Sequence, residues 1–316
     1  MMKNNNMTRN LGEGNISKLL ASLAIPAVVA QVVNLLYNIV DRVYIGHIPG
    51  IGANALTGVG LFTPILMLIN AFAMLAGSGG APRAAIFMGK KDNDLAEKLL
   101  GNCFTLLVGL AVVLTIVFYV SAPTLLRLFG ASDATLTYAT DYARIYILGS
   151  FFVLIVLGMN TFITTQGFAK ISMMTTIIGA VINIILDPVL IFGLGPFPKM
   201  GIEGAALATG IGQAAGAVLY LIFYIVNPLP VKYRKKYLKA DLKLWKKLYV
   251  IGIPASLNLA LPSLLISVLN VILTGYGEVY VFVLGVYYKL QTFLYLPANG
   301  IVQGTVSYTH LTLPTT

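Results

Sequence analysis

The sequence predicts an all-α polytopic membrane protein, and three observations carry that prediction. First, 58% of the 316 residues are apolar and only 10% are charged, with a mean hydropathy of +0.85; a soluble domain carries about a quarter charged residues. Second, apolar runs recur at the length needed to cross hydrocarbon, about 20 residues of helix at 1.5 Å each. Third, the basic residues behind the net charge of +10 collect in short segments between apolar runs. That distribution orients helices in a bilayer and argues against nucleic acid as the partner.

Eight spanning helices are expected, near 18–44, 54–80, 99–120, 140–166, 173–193, 203–226, 248–274 and 281–305. The first carries Gln31, Asn34, Asn38 and Asp41, spaced three, four and three apart. At helical periodicity these lie on one stripe, with Tyr37 beside them and aliphatic residues elsewhere. An aspartate in a spanning helix is costly in lipid, so the stripe is expected to face a wet cavity or a partner. Asp41 reads as a protonatable or cation-binding carboxylate, or else as an ion-pair partner of Arg42. The second helix contains Pro64 and Asn70; the third contains Gly109 and the single Cys103, which reads as packing. Interior prolines and glycines do not argue against spanning helices, which tolerate them beside cavities.

In the fourth helix Asn160 and Gln166 read as interhelical hydrogen-bond formers. The fifth, TTIIGAVINIILDPVLIFG, places Asn183 and Asp187 one turn apart on the same face, with Pro188 next. A proline leaves the carbonyl one turn back without its helical partner, a useful oxygen beside a cation. The sixth has Thr209 and Gln213 among small residues, GAALATGIGQAAGA, which permit close helix approach. The seventh carries Asn258, Ser263, Ser267 and Asn270, and the eighth Tyr287, Tyr288, Lys289 and Gln291. Tyr288 and Lys289 read equally as cavity lining or as an interfacial belt with a snorkelling lysine.

Lys3, Arg9 and Lys18 precede the first helix, and Arg83, Lys90, Lys91 and Lys98 fall in the expected second loop. The sixth loop is densest in charge, from Lys232 to Lys247, while the opposite-side segments offer only Arg42, Arg127 and Lys199. The N-terminus is therefore expected in the cytoplasm. The Tyr- and Trp-containing sixth loop reads as a topology signal lying amphipathically on the inner leaflet.

An internal repeat is visible. KLLASLAIPA at 18–27 resembles KKLYVIGIPA at 246–255, and downstream Leu56–Val59 sits over Val283–Val286 and Gly77 over Gly304 in nearly the same register. The organisation that follows is a cytoplasmic segment at 1–17, a six-helix lobe at 18–226 and a basic linker at 227–247. The first two helices of a second, repeat-related lobe occupy 248–305, and a hydroxyl-rich tail of non-native character occupies 306–316. Asp41 aligns with Leu269, so carboxylate chemistry is expected in the first lobe alone.

These segments resemble the multidrug and toxic compound extrusion (MATE) family. The resemblance is carried by IPAVVAQVVNLLYNIVDRVYIGH, GANALTGVGLFTPI, the Asn183-x-x-x-Asp187-Pro188 helix, GIEGAALAT, KKLYVIGIPAS and LPANGIVQG. YIGHIPGIGANALTGVG is similar to its MepA-type bacterial branch. The resemblance implies a two-lobe, twelve-helix antiporter of the bacterial plasma membrane, monomeric when full length, of which four helices are missing here. It would export small cationic or amphipathic drugs against inward H+ or Na+, with no other cofactor. The coupling ion would bind at Asp41 and Asp187, with Asn183 and Thr209 as neighbours. Gln31, Asn34, Tyr37, Asn38 and Asn160 would line the cavity, with Tyr288 and Lys289 as further candidates. A lipid or lipid-linked oligosaccharide flippase is the alternative, expected to have more basic residues inside its cleft. An intramembrane aspartyl protease is more distant, because neither aspartate has a flanking glycine. No P-loop motif for ATP hydrolysis is present.

Overall fold

A computed structural model describes residues 16–276 and, beyond them, residues 280, 283, 284, 287, 288, 291, 294, 295, 298–302 and 305. Lys289, the side chains of Ser263, Ser267 and Asn270, residues 1–15 and the tail at 306–316 lie outside the described residues. Among those described, all regular structure is helical. The helices are α1 (Ile16–Gly46), α2 (Gly52–Gly89), α3 (Asn93–Leu128), α4 (Asp133–Thr165), α5 (Ala169–Phe192), α6 (Ile202–Val226) and α7 (Leu242–Thr274). The first six are long and apolar enough to cross a membrane. The eighth predicted span is described only at scattered positions.

Most helices run past the ends that hydropathy assigns, because an apolar run stops at the first charges whereas a helix stops at its caps. Helix α2 continues nine residues beyond the predicted end at 80, so Arg83 belongs to a helix and not to a loop. Helix α3 begins where the Asp92 side chain accepts from the Leu95 N–H (3.1 Å), and α4 opens on a capping box between Ser132 and Thr135. Asp241 caps α7 by accepting from the Leu244 N–H, which starts that helix inside the stretch expected as linker. Gly193, in the left-handed region at φ 75°, ends α5.

Helix α1 lies along α5, α5 along α6, α6 along α4 and α4 along α2, while α3 packs behind α2 and α4. The five helices α1, α5, α6, α4 and α2 thus surround a central space, and α7 lies along α2. Close approach is built in at Gly179 and Gly212. A Cβ on Gly212 would stand 2.6 Å from the Gly179 carbonyl oxygen, and one on Gly179 2.8 Å from that of Gly212. Only glycine lets α5 and α6 meet so closely.

One end of the bundle, where α1, α3, α5 and α7 begin, is the basic end; it carries Lys90, Lys91, Lys98, Lys170 and the lysines of the linker. The linker, residues 227–241, is fastened there although most of its charged residues stay exposed. Val231 and Leu229 are buried. The Val231 N–H donates to Gln166 (3.1 Å), and the Tyr220 and Tyr233 hydroxyls lie 2.6 Å apart. Asn102 of α3 donates to the Tyr237 carbonyl (3.2 Å) and accepts from the Asp241 N–H (2.8 Å). Three ion pairs add to this: Arg234 with Glu97, Lys236 with Asp94 (3.1 Å) and Lys98 with Asp241 (2.7 Å). Five backbone groups of the linker, the N–H of Val231, Lys232 and Asp241 and the carbonyls of Tyr237 and Leu238, bond to side chains of α3 and to Gln166 at the end of α4, which holds it to the lobe's contour.

Candidate functional site

Toward the end opposite the basic one, α5 and α6 bring three of the predicted side chains into direct hydrogen bonding. The Asn183 Nδ2 donates both to Asp187 Oδ1 and to the Thr209 hydroxyl oxygen, each at 3.2 Å. The Thr209 hydroxyl donates in turn to the Ala205 carbonyl one turn back (3.1 Å). The spacing of four on α5 places Asn183 under Asp187, and the Gly179–Gly212 crossing brings Thr209 within reach. All three residues are buried, Asp187 completely.

Asp41 is 6% exposed and lines the smaller of two neighbouring cavities together with Thr209. It makes no ion pair with Arg42, whose side chain faces outward. The cluster has more acceptors than donors. Asp41 Oδ1, Asp187 Oδ2 and Asn183 Oδ1 are all buried without a hydrogen-bond partner. Buried polar atoms are almost always paired, and an unpaired one costs about 1–3 kcal/mol. Asn183 and Asp187 are hydrogen-bonded neighbours and Asp41 lines a cavity with their partner Thr209, so these unpaired acceptors offer a chemistry that suits a proton or a small hard cation. Among the described residues no group of three or more His, Cys, Asp or Glu side chains forms a metal cluster.

Two cavities meet beside this cluster. The smaller, about 170 Å3, is lined by Asp41, Asn38, Asn70, Tyr142 and Tyr146 among others. The larger, about 600 Å3, runs toward the basic end between the five surrounding helices. Asn34, Tyr37, Thr209 and Gln213 line both. Gln31, Asn160 and Asn183 line the larger, and Asn160 also donates to the Thr175 hydroxyl across to α5 (3.2 Å). Gln166 is an interhelical hydrogen-bond former as expected, reaching the Tyr224 hydroxyl (2.9 Å).

Two features go beyond the sequence expectations. The polar stripe of α1 is not buried along its whole length: Asn38 lines the smaller cavity yet is exposed, and its amide donates to the Asn34 carbonyl (2.7 Å). Carboxylates and amides are also not the only interior groups, because Arg83 lines the larger cavity and is the one charged residue among its described lining. Its signal was present in the sequence. Six residues lie between it and the Lys90–Lys91 pair, too far for one short loop and near two turns of a continued helix. Tyr288 is half-buried and is not among the described residues that line either cavity.

Comparison with known proteins extends this geometry. The family model described as MatE matches residues 26–189, just over half of the chain. The chain is 28% identical over 298 residues to the probable multidrug resistance protein YoeA of Bacillus subtilis, covering 93% of this chain and 64% of the relative. It is 26% identical over 294 residues to the multidrug export protein MepA of Staphylococcus haemolyticus, again covering 93% and 64%. The chain therefore spans somewhat less than two thirds of the length of these curated relatives. A solved outward-facing structure of a multidrug resistance MATE family transporter of the MOP superfamily superposes with a TM-score of 0.87 at 26% identity. That match covers 97% of this chain and 67% of the other.

Proposed function

The chain belongs to the MatE family, and from that premise we propose that its six-helix lobe is the ion-coupled half of a secondary exporter. The transporter moves cationic and amphipathic compounds out of a bacterial cell across the plasma membrane as a monomer. In this reading H+ or Na+ enters from outside and binds at Asp41 and Asp187, with Asn183 and Thr209 orienting the carboxylates. The drug occupies the larger cavity, near Gln31, Asn34, Tyr37 and Asn160.

The observation that carries the reading is the trio of unpaired buried oxygens on Asp41, Asp187 and Asn183. A cation or proton satisfies them, whereas an apolar ligand does not. Asn34, Tyr37, Thr209 and Gln213 face both cavities, so ion occupancy on one side alters the walls seen by the drug on the other. Export requires that difference in affinity between the ion-loaded and ion-free states; without it the gradient does no work.

Ethidium efflux from proteoliposomes, driven separately by a proton and by a sodium gradient, tests the assignment. Asp41→Asn and Asp187→Asn are each expected to reduce gradient-driven efflux to the rate without a gradient. Undiminished efflux in either variant overturns the role given to that carboxylate, and the gradient that drives the wild type identifies the ion.

A further inference from the structure

The larger cavity has a polarity along its length that its proposed role leaves unused. At one end, Asn183, Thr209 and Tyr37 adjoin the two aspartates. At the other, beside Pro26, Ala169 and Ile86, stands Arg83. About 20 Å of α5 separates Ala169 from Asn183 at 1.5 Å per residue, the length of an elongated drug-sized molecule and more.

Arg83 is half-buried, and among the described residues it makes no hydrogen bond or ion pair. The hydroxyls that share the wall have already committed their protons to their own helices. Thr161 donates to the Gly158 carbonyl (2.7 Å), Thr164 to that of Asn160 (3.3 Å), and Thr176 to that of Ser172 (3.2 Å). They present acceptor lone pairs to the cavity. The guanidinium is therefore the strong donor of that end, with a planar fork matched to a carboxylate or phosphate. A half-buried guanidinium is costly to leave without water or a partner, and no carboxylate is among the described lining of its own cavity.

We propose that Arg83 is an anion-recognising pole of this cavity, so that the lobe binds amphiphiles carrying a carboxylate or phosphate. Dipolar ones span it, with the cationic end toward Asp41 and Asp187 and the oxyanion at Arg83. The inference rests on the reading of this cavity as a drug site, and it deepens that reading by naming a ligand class that simple cations do not represent. A charge-assisted, bidentate contact in a site sheltered from bulk water accounts for selectivity of about tenfold or more.

Rhodamine B and its ethyl ester test this, since they share one cationic ring system and differ in whether the carboxylate is free. Binding of each dye to the purified full chain in phosphatidylcholine nanodiscs is read by fluorescence anisotropy, for wild type, Arg83→Gln and Arg83→Lys. The expected result is that Arg83→Gln weakens rhodamine B about tenfold and leaves the ester within about twofold, with Arg83→Lys in between. Retained ester binding shows that the variant is folded. Equal effects on both dyes, or none on either, overturn the pole while leaving the drug site standing. Failure of both dyes to bind wild type overturns the inference together with the site it rests on. Competition by soluble dihexanoyl phosphatidylglycerol, present in wild type and absent in Arg83→Gln, supports a headgroup phosphate as occupant. Its absence, with the dye difference intact, supports a carboxylate-bearing solute.

Discussion

At the scale of single residues, the cluster on α1, α5 and α6 is under-supplied with donors, and this has a consequence for stability. An ionised carboxylate buried without a full set of partners works against folding, and replacing it by an amide of the same shape supplies the missing N–H groups. Asp41→Asn is therefore expected to unfold at a higher temperature than wild type in ion-free detergent, by several degrees. About 1–2 kcal/mol in a protein of this size corresponds to that shift. Intrinsic-fluorescence melting checks it; a lower melting temperature would mean that Asp41 has a partner which the amide cannot replace. The pairing of Asn183 with Asp187 was legible because a spacing of four stacks two residues on one helix face, whereas the small residues around Thr209 pointed only to close packing and its place in the site came from the family resemblance. Arg83 was read as the start of a basic loop because it precedes two lysines, and only its distance of nearly two turns from them marks it as helical. The exposure of Asn38 was hidden for a different reason: a stripe three and four apart covers a wide arc, and one edge of that arc meets the open side of the smaller cavity.

Among the elements, the α5–α6 crossing and the linker set the geometry that the site depends on. A methyl at Gly212 meets the Gly179 carbonyl and nearly touches the Asn183 Cβ, at 3.3 Å, so α6 must move away from α5. Gly212→Ala is expected to cost about 1–3 kcal/mol and to lengthen the Asn183–Thr209 hydrogen bond; melting temperature and ion-dependent stabilisation should fall together. A fall in the first without the second would separate packing from the site. The linker makes a contrasting case. Its charge was read as topology alone because nothing in a sequence distinguishes lysines facing water from lysines pinned to α3. The pinning carries a pH signature: the Lys98 ammonium beside Asp241, helped by the Leu244 N–H, holds the Asp241 carboxyl below the usual carboxylate range. A lowered value in the folded state gives stability that is complete above the ordinary value of about 4 and lost as pH falls through the lowered one. The linker therefore stays docked at neutral pH. Asn102→Ala, which removes two hydrogen bonds to it, is expected to speed tryptic cleavage after Lys235, Lys236 or Lys239 about tenfold at pH 8, with unchanged cleavage elsewhere as the control.

Over the whole molecule, the order in which ion and drug reach their sites depends on which end faces the cytoplasm. The basic end gathers the starts of α1, α3, α5 and α7 with their lysines, and the other end presents Pro49, Gly130 and Leu194 in turns that carry little positive charge. Because lysine and arginine are retained on the cytoplasmic side, the linker should be inside and the α5–α6 turn outside. The chain is well suited to a direct measurement. Its single cysteine, Cys103, is buried against α2 and should be silent to aqueous maleimide. Gly195→Cys, in an open turn with nothing within 4 Å of its Cβ, should then label with a membrane-impermeant maleimide added to intact cells. Lys239→Cys should label only after the cells are permeabilised. The reverse pattern would invert the bundle and place Asp41 and Asp187 near the cytoplasmic surface. A proton or sodium ion moving down its inward gradient would then meet Arg83 before the carboxylates, and the coupling order proposed for this lobe would have to be abandoned.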